Sequence, residues 1–441
     1  VAPVLKDDMV FPTQARLVAM DDARPGDGAE RTGMDCRPAN TGGLTRAPAM
    51  SERRVALLGG LLAGIGPLSL ALFTPAMPAI AGVFSASDAA VKATLSVYFA
   101  GFAVAQLICG PLSDRFGRRP VTLAFLLVYV AGSLGTLIVS DIALLLCSRG
   151  LQGIGAAAGI VIARAIVRDL FIGEASARVM NITNIIVGAG PAIAPAIGGG
   201  AMMIAGWQAP FVAMLVLGVA ALVLVRSWLV ETRPLPVHPL RVRGLIATYL
   251  RILRSPDFLW PSLTIAGAVS AFYAQSTVLS FIVMGRLGYS SGAFGLIMLI
   301  AASGFFAGSN VMRFLNPRYG AFRIIPVGLI LLGGATLALL VHAAGPSSLV
   351  GVVAPVTILM FGNALILPGM YTASLAPFGD SAGAASALSG FMSMGLGLLA
   401  SLAISLVPDP ALGLGIVAPA MAAVAVASYL NWRRTLRRTR L

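Results

Sequence analysis

The chain has 441 residues, is 58% hydrophobic and only 11% charged, and sets 31 Lys and Arg against 17 Asp and Glu for a formal net charge of +14. Soluble domains carry about 25% charged residues, so this composition cannot coat a water-exposed globule, and lipid is the solvent that fits. Lipid requires every backbone donor and acceptor to be bonded internally; continuous apolar runs, rather than the alternating strands of a closed barrel, then select helices.

Residues 1–49 are rich in Asp, Arg, Gly and Pro, with no periodic apolar face and no secretory apolar core. They read as a disordered or non-native extension. Met50, Ser51, Glu52, Arg53 and Arg54 then lead at once into the first apolar run, so translation is expected to start at Met50. Deleting 1–49 should leave insertion and activity unchanged. Runs long enough to cross about 30 Å of hydrocarbon at about 1.5 Å per residue follow in order. In a first half, 50–232, they are 54–74, 91–112, 120–139, 142–168, 179–203 and 208–230. A cytoplasmic central loop, 233–257, holds Pro234, Pro236, Pro239, Arg241, Arg243, Arg251 and Arg254. The second half, 258–432, has 258–284, 291–315, 322–343, 348–375, 382–407 and 410–432, and a basic tail occupies 433–441. The expected fold is an all-α membrane protein of twelve transmembrane helices in two pseudo-symmetric six-helix halves.

The loops give the orientation. One side collects Arg53, Arg54, Arg115, Arg118, Arg119, Arg168, Arg178, Arg226, Arg233, the central-loop arginines, Arg313, Arg318, Arg323 and the tail; the other has only Lys92 and Arg286. By the positive-inside rule both termini are cytoplasmic, in a bacterial inner membrane. Because the basic residues sit in short loops rather than along one stripe, nucleic acid is not an expected partner. Cys36 lies in the polar tail, and Cys109 and Cys147 lie in apolar runs, so no structural disulfide is expected. No cofactor or metal site is expected, and no cluster of residues suits an enzyme. A monomer surrounded by lipid is.

The sharpest motif is the loop Gly110-Pro-Leu-Ser-Asp-Arg-Phe-Gly-Arg-Arg-Pro-Val, with a degenerate copy, Gly308-Ser-Asn-Val-Met-Arg-Phe-Leu-Asn-Pro-Arg-Tyr-Gly, at the matching place in the second half. Here Gly110 lets a helix end approach its neighbour, Gly117 permits a tight turn, and Asp114 accepts bonds from a facing helix end or arginine. Arg115, Arg118 and Arg119 should stay at the cytoplasmic surface. Such a charge clasp can gate the inner mouth. Arg149 lies several residues inside a helix, where a lone cation costs about 2.5–3.5 kcal/mol, so a cavity or partners must offset it. Gln152, three residues on, shares its face. Arg164 and Arg168 can snorkel to the helix end. The run from Gly188 to Gly200, with Gly190, Pro191, Pro195, Gly198 and Gly199, reads as a close-packing hinge. Gln106, Tyr273, Gln275 and Asn363, near the estimated midplane, are candidate substrate contacts among otherwise apolar walls.

These motifs resemble the major facilitator superfamily. The Gly110 loop is its hallmark, and Leu146-Cys-Ser-Arg-Gly-Leu-Gln-Gly-Ile-Gly-Ala-Ala matches its fourth-helix motif. Gly188-Ala-Gly-Pro-Ala-Ile-Ala-Pro-Ala-Ile-Gly-Gly is similar to the fifth-helix motif of the drug/proton antiporters, although Ala194 stands where many members have glycine. The stretches from Phe361 to Gly369 and from Leu375 to Phe391 resemble the Bcr/CflA drug-resistance branch. The resemblance implies export of small lipophilic or amphipathic drugs or metabolites by alternating access, driven by protons, with Arg149 in proton coupling or substrate response. One departure bears on that. Relatives carry an acidic residue two positions after the first-helix serine, Ser69, and here that place is Ala71. Every carboxylate after Met50 falls in a loop or at a helix end, so no embedded acid is available to carry a proton; Asp114, His342 or water near Arg149 could substitute, or export could be uncoupled.

Overall fold

The computed structural model describes residues 50–232 and 242–438; the readings on 1–49, on most of the proline-rich part of the central loop and on the last three residues of the tail lie outside them. The described residues belong to one compact unit, Pro48–Leu441. In the first half the helices are α1 Glu52–Val83, α2 Asp88–Phe116, α3 Arg118–Gly135, α4 Ile142–Leu170, α5 Gly173–Ala205 and α6 Ala209–Trp228. After a short helix α7, Val242–Leu253, the second half has α8 Pro256–Arg286, α9 Ser291–Tyr319, α10 Ala321–Ala343, α11 Leu349–Gly379, α12 Ala382–Ser405 and α13 Pro410–Arg438. Among the described residues, 11 helices are long and apolar enough to cross a bilayer. The remaining long one, α3, opens on Arg118 and Arg119, which dilute an apolar run of bilayer length, and it completes the twelve.

Local chemistry sets the ends. Ser87, Asp141, Ser290 and Ser348 cap α2, α4, α9 and α11 by accepting from backbone amides three residues on. Pro75 and Pro78 remove two backbone donors from α1, and the helix narrows to a 3₁₀ turn at Thr74–Ala76 before continuing. The last turn of α8, Phe281–Arg286, widens to a π-helix.

At the centre of the first half stands α4. Gly153 meets the Tyr98 carbonyl of α2, Gly155 the Tyr129 backbone of α3 and Gly159 the Leu62 carbonyl of α1, and a Cβ at any of the three would overlap backbone. Three glycines within about two turns thus let α4 touch three neighbours at once. The halves then meet along α2 with α12 and α5 with α9, two contacts related by the pseudo-two-fold.

Two features were not foreseen. The central loop contains α7, which buries Ile252 against Phe258 of α8 and Ala385 and Leu388 of α12. The Tyr249 hydroxyl donates to the Leu107 carbonyl of α2 at 2.9 Å, so α7 straps the two halves together. The basic tail is no separate segment at its start, since α13 runs on to Arg438.

Candidate functional site

The charge clasp forms at the arginine-rich end, where α2 turns into α3. Gly117 makes the turn with φ +98, and a Cβ there would come within 2.5 Å of Glu231 Oε2. Glu231 accepts from the Arg118 and Arg119 amides at 2.9 and 3.1 Å, capping α3 with a carboxylate at the positive end of its dipole. Arg118 is not at the surface as expected. It is 2% exposed, paired with Asp114 at 2.6 Å and Asp169 of α4 at 2.9 Å, and it donates to Ser113 Oγ at 2.7 Å. Two carboxylates around one guanidinium make burial affordable. Arg115 is exposed and lies over the Phe116 ring, and Arg119 donates to the Arg226 carbonyl at 2.7 Å. Gly110 has ordinary room, 3.4 Å from a built Cβ to Val161, so close approach is not its role. Asp169 and Glu231 were missed; their signal is position, since both close helices that end beside the clasp.

Arg149 is wholly buried inside the first half. Its guanidinium lies 4.4 Å from the Phe73 ring centroid and 4.6 Å from that of Tyr98, and one nitrogen donates to Gln152 Oε1 at 2.7 Å. Gln152 passes the chain on to Ser133 at 3.0 Å. Nearby, Ser69 spends its proton on the Ile65 carbonyl, so Tyr129 donates in the 2.6 Å bond between the two hydroxyls. The Nε and Nη2 of Arg149 have no partner, and no carboxylate pairs with it among the described residues. Two aromatic faces and one amide hold this cation.

A cavity of about 50 Å³ lies between the halves, walled by Ala71 and Thr74 of α1, Pro191 and Pro195 of α5, and residues of α8, α9 and α11 including Phe272, Gln275, Ser276 and Met360. Its size leaves room for a few waters. Polar side-chain contacts join the halves toward each end. At the arginine-rich end Arg164 donates to Ser386 of α12 at 2.7 Å, a contact between halves rather than a snorkelling side chain. At the other end Ser291 of α9 donates to the Gly199 carbonyl at 3.2 Å, and Ser96 of α2 bonds Ser401 of α12 at 2.9 Å. There Lys92 is not a loop residue: it is 1% exposed on α2, its Nζ 5.3 Å from the Phe281 ring of α8.

Of the foreseen substrate contacts only Gln275 lines this cavity. Tyr273 instead stacks on Phe99 of α2 with centroids 4.7 Å apart, joining the halves. Gln106 lies against Gly390 of α12. Asn363 is buried on α11 with its Oδ1 unpartnered, one turn from Met360. Arg149 and Gln152 do not line the cavity, and Arg149 meets α1 at Phe73 instead. In α5, Pro191 and Pro195 face the cavity, Gly190 meets Leu68, Gly198 abuts the Leu72 backbone of α1, and Gly199 abuts the Ser291 backbone of α9. The helix runs unbroken through both prolines. His342 accepts from the Ser348 amide at 3.2 Å and tidies the turn before α11.

Residues 56–403 match the family described as Major Facilitator Superfamily. The chain is 30% identical over 362 residues to an uncharacterized MFS-type transporter, YdgK, of Bacillus subtilis, covering 80% of this chain and 89% of that one. It is 28% identical to multidrug resistance protein D of Escherichia coli, over 84% and 93% of the two chains. To a chloramphenicol resistance protein of Pseudomonas aeruginosa it is 30% identical, over 79% and 82%. The fold is shared with a bacterial homologue of the human lysosomal transporter Spinster, crystallised inward-facing and occupied, at TM-score 0.66 and 20% identity over 87% of this chain and 96% of that one. A D-xylose–proton symporter shares it at TM-score 0.63 and 15% identity, over 86% and 96%.

Proposed function

The chain belongs to the Major Facilitator Superfamily, and we propose that it is an exporter of the Bcr/CflA type, moving small amphipathic drugs or metabolites out across the inner membrane in exchange for protons. The observation that carries this reading is the cavity walled by both halves, with polar contacts joining them toward each end. A cavity lined from both halves is where alternating access places its substrate site. The names of the drug-resistance relatives support drug export. The positive-inside rule supports an arginine-rich end that faces the cytoplasm, with both termini there. The Arg118 clasp then braces the inner mouth, and its carboxylates hold α2, α3 and α4 together while the mouth opens and shuts.

A second reading, export without proton exchange, is favoured by one observation. Ala71 lines the cavity, and among the described residues every carboxylate lies at a helix end or outside a helix. Proton exchange usually uses an embedded acid whose protonation competes with substrate. Inverted membrane vesicles supplied with external chloramphenicol, with and without an imposed pH gradient, separate the two. Uptake that rises with the gradient supports exchange; uptake indifferent to it supports the second reading; no uptake above vesicles lacking the protein removes export altogether.

A further inference from the structure

We infer that the cavity selects uncharged molecules that donate a hydrogen bond to Gln275, and that it turns away lipophilic cations. The inference rests on the export reading for the site's purpose, though not for its chemistry. Three polar side chains line the cavity, and each presents an acceptor. The Thr74 hydroxyl gives its proton to the Ala71 carbonyl at 3.0 Å, and Ser276 gives its proton to the Phe272 carbonyl at 3.0 Å. Both then face the space with lone pairs only. Gln275 is 4% exposed; its amide nitrogen is turned to the Met360 sulfur at 3.9 Å, and its Oε1 has no partner.

A buried carbonyl oxygen left unbonded is costly, and a ligand N–H or O–H repays that cost. An acceptor-only ligand leaves it unpaid. Among the described residues no acid lines the cavity, so a cation would lose its hydration with no counter-charge to replace it. The Arg149 charge, against Phe73 of α1 and without an ion pair among the described residues, adds repulsion. The walls are otherwise Phe272, Leu279, Phe294, Met298 and Met360, which suit an apolar body. The substrate class is therefore a neutral amphipath with at least one donor, admitted when the halves part.

The test is ligand binding to the purified full-length protein in detergent, by calorimetry, with chloramphenicol as the neutral donor and tetraphenylphosphonium as the donor-free cation. The wild type should bind chloramphenicol at least about tenfold more tightly than the cation. Gln275→Leu should weaken chloramphenicol about fivefold to tenfold. Ala71→Asp, and Gln275→Glu should the first variant fail to fold, should bring in the cation. Equal binding of both probes by the wild type, binding of neither, or a Gln275→Leu variant with unchanged affinity overturns the inference. The same protein in proteoliposomes reads transport separately: binding as described without movement sinks the export reading and leaves the selectivity standing.

Discussion

The two halves share a fold and divide the work. The first half holds the charge: Arg118 between Asp114 and Asp169, Glu231 capping α3, and Arg149 between Phe73 and Tyr98. The second half supplies most of the cavity wall from α8, α9 and α11. At the place equivalent to the clasp it has Met312, Arg313 and Asn316, and Arg313 and Arg318 are exposed. The duplicated architecture thus carries its charged joint in one copy and its cavity wall chiefly in the other. The contrast teaches that pseudo-symmetry fixes where helices go, while a few side chains decide which half holds the ion pairs and which half walls the cavity.

The largest expected effect that would break this division comes from Arg149. Its charge is buried with two nitrogens unpartnered, a cost that folding alone would not retain. Arg149→Met should raise the thermal midpoint of the purified protein and cut transport at least about tenfold. A variant that transports normally would reduce Arg149 to packing. Next comes the clasp. Asp114→Asn or Asp169→Asn alone leaves Arg118 one carboxylate, so each should slow turnover about threefold, and the double variant about tenfold or more, with insertion intact. Arg313→Ala and Arg318→Ala in the second half sharpen the comparison, because both should change turnover by less than about twofold. Equal effects in the two halves would erase the asymmetry.

A smaller effect is expected where the halves meet. A Cβ at Gly390 would come within 2.6 Å of the Gln106 amide, so Gly390→Ala should lower stability by about 1 kcal/mol. Adding Gln106→Ala should restore it, as thermal unfolding of the double variant would show. The smallest is at the far end, where Arg286 pairs with Asp409 at 2.7 Å. Burial pushes the Asp409 carboxyl up, but the Leu412 and Ala411 amides and Arg286 outweigh it and hold it below its ordinary value. A depressed acid contributes stability above its unfolded pKa of about 4 and loses it as pH falls through the lower folded value. Asp409→Asn should therefore lower the midpoint by about 1 °C at pH 7, a difference that shrinks as pH falls below about 4.

Much of this was legible in the sequence, for reasons that differ by residue. The spans were, because apolar runs must match hydrocarbon thickness and arginines mark their ends: 142–168 became Ile142–Leu170, and 291–315 became Ser291–Tyr319. Helix α7 is too short to cross a bilayer and so leaves no hydropathy signal, although Leu245, Tyr249 and Ile252 sit at helical spacing. Depth along a helix can be counted, but facing cannot. Tyr273 and Gln275 were placed at one depth, yet Phe272 and Gln275 line the cavity while Tyr273 stacks on Phe99. The burial of Arg118 was hidden because its second partner, Asp169, lies 51 residues away on another helix.

Distances between spin labels at the two mouths test the rocking of the halves most directly. One pair, Arg168 and Gly383, reports the arginine-rich end, where a Cβ on Gly383 would lie 3.4 Å from the Arg168 guanidinium. The other, Met203 and Ser291, reports the opposite end across α5 and α9. On adding chloramphenicol the two distances should change in opposite senses, one mouth closing as the other opens. Distances that stay fixed, or lengthen together, would contradict alternating access through this cavity.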